Sequence, residues 1–372
     1  MYLIVGCGLS GAVLAERIAN VLHKPVLIIE KRDHIAGNCY DYVDEETGIL
    51  CNKYGAHLFH TDNERVWNYI NMFSNWVRWE HEVKSYVDGK YVPMPINITT
   101  VNMLCNQNIK TEEEMKIWMM ENQIKSDTIE NSEEMALSRI GDTLYNKMVK
   151  DYTFKQWSKY PKDLDASVLE RIPVRLNFDT RYFSDKYQAL PDKGYTHFVA
   201  QMLTNDLIKC QFNTDFHEFR LKNDLSCFET IIYTGPIDAY FDYTEMEKLE
   251  YRSIEFIKET HKNTRYYQQN SVINYPENKL PYTRIVEYKH FGNQVSDHTI
   301  IFKEISKDSG DPYYPVPTKR NRALYEKYRE LADKEDNVYF VGRLANYKYF
   351  NMDEAIQNAL DIFEKIIQKK EI

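Results

Sequence analysis

Gly6, Gly8 and Gly11 in the stretch VGCGLSGAVLAERIA follow a short apolar run, Tyr2 to Val5, and lead directly into a helical pattern. A G-x-G-x-x-G spacing in that setting lets backbone approach a pyrophosphate closely and aims the free N–H groups of a helix start at it. Glu30 closes the next apolar run, PVLIIEKR, about twenty residues beyond Gly11, where a carboxylate accepts hydrogen bonds from ribose hydroxyls. No second G-x-G-x-x-G occurs, so one tightly held dinucleotide is expected rather than hydride passed between two. A second concentration of chemistry lies in residues 151–183, where Tyr152, Trp157 and Tyr182 alternate with Arg171, Arg175 and Arg181. Rings that stack on a base and guanidinium forks that grip phosphate suit each other. The same residues also describe a solvated, tyrosine-rich segment, which composition alone favours. Arg252 in YRSIEF and Arg284 in PYTRIVEYKHF sit in strand-like runs, either paired with buried carboxylates or turned into a cleft to hold an anion. His57 and His60 in GAHLFHT lack further ligands at a spacing that suits zinc, so no metal site is expected. No serine elbow, P-loop or H-E-x-x-H occurs.

These groups need elements to position them. Leu14, Ile18, Val21 and Leu22 recur at helical spacing and predict one buried face for the helix after the glycine turn. From about 98 to 170 the pattern is helical, with Asn131 and Glu134 spaced as a capping box and Leu137, Ile140, Leu144 and Met148 as an apolar stripe. Pro161 and Pro173 predict a loop rather than a continuous helix across 151–183. Residues 80–97 and 250–305 alternate aromatic and polar side chains between turn signals, the pattern of antiparallel strands in a second sheet. Near the C-terminal end, NVYFVGRL followed by MDEAIQNALDIFEKIIQ again reads as strand, glycine turn and helix, so the nucleotide-binding layer is expected to be completed by a discontinuous chain.

The 372 residues exceed one ordinary hydrophobic core, and 47 basic against 56 acidic side chains argue against a general nucleic-acid or anionic-membrane surface. An anionic ligand must therefore meet a local arginine cluster. Six cysteines, with no C-x-x-C, read as buried free thiols of a cytoplasmic protein, and no run approaches a membrane-spanning length.

Several strings, in order, are individually distinctive: GLSGAVLAERIA, EKRDHIAGNCYD, YGAHLFHT, YTFKQW, ERIPVR with RYF, YTGPIDAYFDY, YRSIEF, NYPENKLPYTRIVEYKHF, GDPYYPV and GRLANYKYFNMDEAI. Over nearly the whole chain the sequence resembles the UDP-galactopyranose mutase family. The resemblance implies an α/β fold: a discontinuous Rossmann-like FAD-binding domain (residues 1–80, 195–245 and 330–372), an inserted helical bundle (98–170) and an antiparallel β-sheet substrate domain (81–97, 171–194 and 246–329). It implies an isomerase that interconverts UDP-galactopyranose and UDP-galactofuranose without net redox change. In that family N5 of the reduced flavin attacks the anomeric carbon and UDP departs, and a flavin–sugar iminium recloses through another hydroxyl. By motif match, Arg171 and Arg284 would stabilise the departing diphosphate and His60 would lie beside the isoalloxazine. Tyr152, Thr153 and Trp157 would hold uridine, while His81, Tyr182, Arg252, Asn274, Tyr314 and Tyr349 would face the sugar and diphosphate. FAD contacts carry over to Gly6, Gly8, Ser10, Gly11, Glu30, Lys31, Asn38, His57, Leu58, Arg343, Phe350, Asn351, Met352, Asp353 and Ala355. The implied partners are a UDP-sugar, a flavin reductant such as NAD(P)H or a reductase, and a second copy in a homodimer, with no nucleic acid and no membrane insertion.

Three residues depart from the family pattern. Ala36 stands where a glycine precedes Gly37 and Asn38, Asn351 replaces an aspartate, and His81 aligns with an asparagine. They leave open a mutase that prefers a modified hexose such as UDP-N-acetylgalactosamine. An amine-oxidase-like FAD oxidoreductase shares the N-terminal turn but gives no reason for the arginine and aromatic clamp. A non-catalytic protein on the same scaffold, such as a GDP-dissociation inhibitor, gives none for Glu30, Asn38 and Arg343.

Overall fold

The computed structural model of the protein describes residues 1–170, 173–242 and 246–371. Its N-terminal layer is a five-stranded parallel sheet built from Ile208–Gln211, Val26–Ile29, Tyr2–Val5, Thr230–Tyr233 and Val338–Phe340, in that spatial order. Strands from opposite ends of the chain thus complete one sheet. Parallel strands need crossovers with both faces covered, and their apolar runs meet that demand: Leu3, Ile4, Ile28 and Ile232 are wholly buried. The helix Leu9–Val21 lies between this sheet and the long helix Met352–Glu371. Being covered on several sides, it buries nearly every residue from Leu9 to Ala19 rather than a single stripe. Leu14 and Ile18 face the core as expected, whereas Val21, at the open end, is exposed. A buried carboxylate on this helix, Glu16, is satisfied by Arg17, Asn20 Nδ2 (2.8 Å) and the Tyr69 hydroxyl (2.8 Å).

A second sheet of seven strands runs in the order Tyr314–Pro315, Tyr251–His261, Thr299–Lys307, Arg284–Glu287, Val272–Asn274, Val83–Val87 and Lys90–Met94. It is antiparallel throughout except where Val83–Val87 runs parallel to Val272–Asn274. Asp88 and Gly89, both at positive φ, close the hairpin 83–94 as a two-residue turn that matches strand twist. A third, small sheet pairs Tyr187–Pro191 with Phe59–Thr61 and Trp76–Arg78. The segment 171–194, expected in the substrate sheet, therefore ends in a layer shared with the N-terminal region.

Helices Ile98–Cys105, Glu112–Asn122, Ser132–Leu144 and Lys150–Trp157 pack on the seven-stranded sheet in one continuous apolar core. Ile140, Leu144 and Met148 are buried there, as their spacing predicts. Asn131 Oδ1 accepts from Glu134 N at 3.0 Å, but the Glu134 carboxylate takes the N–H of Glu130 instead of reaching Asn131, so that box is only half closed. A complete box, Thr111 with Glu114, starts the preceding helix. The chain leaves the helix at Ser158, which has positive φ, and Pro161 opens a single turn, in line with the break expected from the prolines. Between Leu144 and Lys150 a π-helical turn, Tyr145–Val149, re-aims the next helix.

Cys7, Cys39 and Cys51 are buried free thiols, but Cys227 is exposed. Among the described residues no helix is long and apolar enough to cross a membrane.

Asn97, fully buried, caps Ile98–Cys105 through Thr100 N (3.0 Å) and donates to Asp179 O (3.2 Å), tying the helix to the 175–183 loop. Asn97→Ala is expected to lower stability by about 1–2 kcal/mol. Urea unfolding monitored by circular dichroism checks this, and an unchanged midpoint would refute the anchor.

Candidate active site

The glycine turn is shaped for close approach. Gly6 adopts φ +102, and a Cβ there would lie 2.1 Å from Thr234 Oγ1; a Cβ on Gly11 would lie 2.1 Å from Gly6 O. Both positions therefore admit only glycine, which pulls the turn against the sheet. Gly8 meets nothing nearer than Gly37 Cα at 3.8 Å. No side chain caps the helix that begins at Leu9, so its first-turn N–H groups remain available to an anion. Glu30 is held by Cys7 N (2.8 Å) and Arg32 N (2.9 Å), one on each oxygen, with lone pairs left for ribose hydroxyls. Asn38 Oδ1 accepts from Arg32 Nη1 at 3.0 Å. Turn, acid and open helix end fit a bound dinucleotide.

A cleft of about 440 Å³ includes Arg343, whose neighbour Gly342 packs on Ser10 of the helix that follows the turn. Its walls include His57, Leu58, His60, His81, Tyr152, Thr153, Trp157, Tyr182, Asn274, Arg284, Tyr314, Arg343, Tyr349, Asn351 and Met352. Arg284, half-buried, is one of the charges in its wall. Its cross-strand partner is Glu304, whose Oε2 accepts from Arg284 Nε at 2.6 Å. That bond uses one edge of the guanidinium and leaves other donors for the cleft. Burial opposes the charge, but Glu304, Tyr152 and Tyr314 outweigh it and hold the Arg284 pKa well above its ordinary value. Arg343 spans the opposite wall: Nε donates to Phe350 O at 3.0 Å, and Cζ lies 4.8 Å from the Tyr349 ring and 5.4 Å from that of Tyr314. The two tyrosine rings stack, 5.4 Å apart and 9° from parallel. Burial, then Tyr349, push Tyr314 up to about 12, so its hydroxyl keeps its proton.

Three histidines stand among these groups in different states of satisfaction. Burial drives His57 down to about 4, and its Nδ1 lies 2.8 Å from Gly55 O. Burial, then Arg284 and His60, drive His81 down to about 3, and its Nδ1 has no hydrogen-bond partner among the described residues. Both rings are neutral at pH 7. His60 lies flat on Phe183, ring centroids 3.6 Å apart, with Nδ1 3.1 Å from Asp185 Oδ2.

A family model described as UDP-galactopyranose mutase matches residues 147–349, and one described as an NAD(P)-binding Rossmann-like domain matches residues 4–73. The chain is 37% identical to a Klebsiella pneumoniae protein named "Probable UDP-galactopyranose mutase", over 98% of this chain and 94% of that one. The chain belongs to the UDP-galactopyranose mutase family. Another relative, a dTDP-fucopyranose mutase of Escherichia coli, is 35% identical over 98% of each chain. The crystal structure of a reduced UDP-galactopyranose mutase superposes with a TM-score of 0.79 over 99% of this chain and 95% of its own, at 17% identity, a likeness of fold. Mutases of this family are isomerases, and the 147–349 match begins at the π-helical turn and ends at Tyr349, so it takes in most of the cleft wall.

Set against the mutase residues expected from sequence, the structure makes corrections. Arg252 does not line the cleft: only 2% exposed, it donates through Nε to Gln156 O (3.0 Å) and Ser306 Oγ (3.2 Å) and pairs with Asp308, bracing the cleft helix from behind. Arg175 and Arg181 close on Asp179 at 3.3 and 2.9 Å rather than reaching for phosphate. Arg171 lies outside the described residues, although Leu169 and Pro173 on either side of it line the cleft. Lys31 pairs with Asp311 at the surface (3.1 Å). Ser10 packs under Gly342, where a Cβ would lie 2.8 Å from Ser10 Oγ. Asp353 Oδ2 accepts from Thr61 Oγ1 (2.8 Å), and Ala355 N donates to Asn351 O as the long helix begins. Sequence reasoning missed Glu304 and Asp185, and it gave no role to Phe183 of RYF or to Gly342 of the C-terminal glycine turn. Glu304 carried a signal of its own, an acid inside the run TIIFKEISK.

Removing Arg284 leaves Glu304 buried and unpaired. Arg284→Ala is expected to cost about 3 kcal/mol of stability, and Arg284→Ala with Glu304→Gln to recover much of it; urea melts decide, and equal stability of the single and double variants would refute the pairing. His57 and His81 take protons more readily when unfolded, so each contributes to stability that is complete above pH 6.5 and declines as pH falls toward 4 and 3. Replacing either with Phe should flatten the acid limb of stability by up to about 1.4 kcal/mol per pH unit. An unaltered slope would mean that ring is not held neutral.

Proposed function

We propose that the protein interconverts the pyranose and furanose forms of a nucleotide-linked hexose, UDP-galactose foremost, with reduced FAD as its cofactor. One observation carries this reading: a single cleft joins a half-buried arginine with donors to spare to a wall of paired aromatic rings, and Gly342, beside the cleft residue Arg343, packs on Ser10 just after the dinucleotide turn. When bound, reduced FAD would supply, through N5, the nucleophile for the anomeric carbon and finish the cycle without net oxidation. Gly6, Gly8, Gly11 and the first turn of the helix from Leu9 would hold its pyrophosphate, and Glu30 its ribose.

The chain's own task is to let a diphosphate leave and return. Arg284, fixed by Glu304, would take up the charge that develops on the departing oxygen, and its pKa keeps it cationic throughout. Arg171, carried between Leu169 and Pro173, is proposed as the second such cation. Tyr152, Thr153 and Trp157 would clamp the base, and Asn274, Tyr182, Tyr314 and Tyr349 would orient sugar and diphosphate. Neutral His81 would offer its unpaired Nδ1 to a sugar hydroxyl without adding charge. Reducing equivalents would come from NAD(P)H or a reductase.

The 35% identity to a dTDP-fucopyranose mutase supports a second reading, a dTDP-linked 6-deoxy sugar as substrate. Chromatography of dithionite-reduced protein incubated with UDP-galactofuranose, UDP-N-acetylgalactosamine or dTDP-fucopyranose separates these readings. We expect conversion of UDP-galactofuranose by the reduced, yellow-purified enzyme and almost none by the oxidised form. Equal activity in both redox states would eliminate the reduced-flavin role, and turnover of dTDP-fucopyranose alone would transfer the assignment to that sugar.

A further inference from the structure

The helix Lys150–Trp157 presents Tyr152, Thr153, Gln156 and Trp157 to the cleft. Lys155 leaves the same helix in another direction and ends inside the hairpin connection 275–283. Its Nζ donates to four backbone carbonyls: Tyr275 O, Glu277 O (2.8 Å), Leu280 O (3.2 Å) and Tyr282 O (3.0 Å). Among the described residues no carboxylate lies within ion-pairing distance of it. An ammonium has three protons, so four carbonyl oxygens around it form a cage of dipoles like those that coordinate a bare monovalent cation. The caged segment is short and structurally consequential. Asn274 and Arg284, both on the cleft wall, are its immediate flanks and face each other across the strand pair, and Tyr275 N closes on Thr283 O at 2.8 Å.

We propose that Lys155 is a positioning residue: its ammonium serves as a built-in monovalent cation that locks the 275–283 connection to the helix Lys150–Trp157. Arg284 and Asn274 are thereby held at a fixed distance from Tyr152 and Trp157 across the cleft. Carbonyls pointing inward at one spot repel one another unless a cation sits among them, so the connection keeps this shape only while the charge is present. Burial pushes Lys155 down to about 8, against Asp151 and Glu277, so the ammonium is carried at a cost that a merely surface lysine avoids. The inference rests on the reading that the cleft binds a nucleotide diphosphate sugar, and its test uses UDP as the probe.

Calorimetric titration of UDP into FAD-loaded wild type, Lys155→Ala and Lys155→Met at pH 7 tests it. Both variants should keep wild-type flavin content and bind UDP at least about tenfold more weakly, the loss of one charge-assisted anchor. In Lys155→Ala, potassium or ammonium chloride should restore affinity severalfold over lithium or tetramethylammonium chloride at equal ionic strength. Wild type should be indifferent to the choice of cation, and Lys155→Met, its cage filled by a thioether, should not be rescued. Unchanged UDP affinity in both variants, or a loss that no cation relieves, overturns the proposal. Failure of both variants to fold overturns it as well, by assigning Lys155 to stability alone. Absence of UDP binding by the wild type would instead overturn the nucleotide-sugar reading on which it stands.

Discussion

The cleft depends on one ion pair between a half-buried arginine and a buried glutamate. Arg284 and Glu304 sit opposite each other on adjacent antiparallel strands, and the 2.6 Å bond between them holds a half-buried guanidinium in the cleft wall. Leaving either partner alone there would be costly, so the pair constrains everything that sets its register. A slip of one residue between Arg284–Glu287 and Thr299–Lys307 would send the arginine to the other face of the sheet. Long pairing of Tyr251–His261 with Thr299–Lys307 over nine positions pins that register from the far side. Even Gly55 belongs to the arrangement: it has positive φ, and a Cβ there would press on Phe256 at 3.3 Å and crowd Glu304 Oε1.

Around this pair the two large sheets share the work unequally. The parallel sheet is made from five short strands drawn from both ends and the middle of the chain and supplies a tight turn with free donors. The antiparallel sheet and its helices supply side chains, and these are braced from behind rather than from within the cleft. Arg252 and Ser306 both donate to Gln156 O, and Lys155 grips the connection beyond Asn274, so the helix that carries Tyr152 and Trp157 is fastened at its own carbonyl and through its own side chain. At least one polar group that faces the cleft, His81 Nδ1, is left with unspent hydrogen-bonding capacity. Such capacity is costly in a finished core and useful in a binding site.

What could be read from the chain follows from how local each cue is. The glycine turn and Glu30 form a contiguous signal in which spacing alone dictates backbone shape, and the structure reproduces it at Gly6 and Gly11. The hairpin at Asp88-Gly89 and the stripe Ile140, Leu144 and Met148 are local in the same sense. Partner choice is not local. Whether Arg252 and Arg284 turn inward to carboxylates or outward to ligand depends on which strand lies alongside; the answer is a mixture, with Arg252 spent on Gln156, Ser306 and Asp308 and Arg284 only partly spent on Glu304. Arg175 and Arg181 were equally ambiguous, and Asp179, a neighbour in sequence, claims both. The strand Tyr187–Pro191 has no counterpart in the sequence reading, because its pairing with Phe59–Thr61 spans well over a hundred residues and leaves no mark in the intervening pattern.

The departures from the family pattern have unequal physical weight. Ala36 is buried at φ +69, with Gly37 at +54 directly after it, so a residue with a Cβ occupies a conformation that glycine adopts without strain. The cost is about 1 kcal/mol, borne by backbone beside the dinucleotide turn and tolerable because Gly37 still allows the close approach to Gly8. Asn351 is a different matter. It stands just before the helix Met352–Glu371, its carbonyl accepting the first intrahelical bond from Ala355 and its N–H donating to Glu354. Asparagine serves at such a position as well as aspartate does, so the helix start needs no acid there. Arg284 and Arg343 share the cleft wall with the acid Asp185, so the uncharged Asn351 adds donors and acceptors to the cleft without adding to its charge.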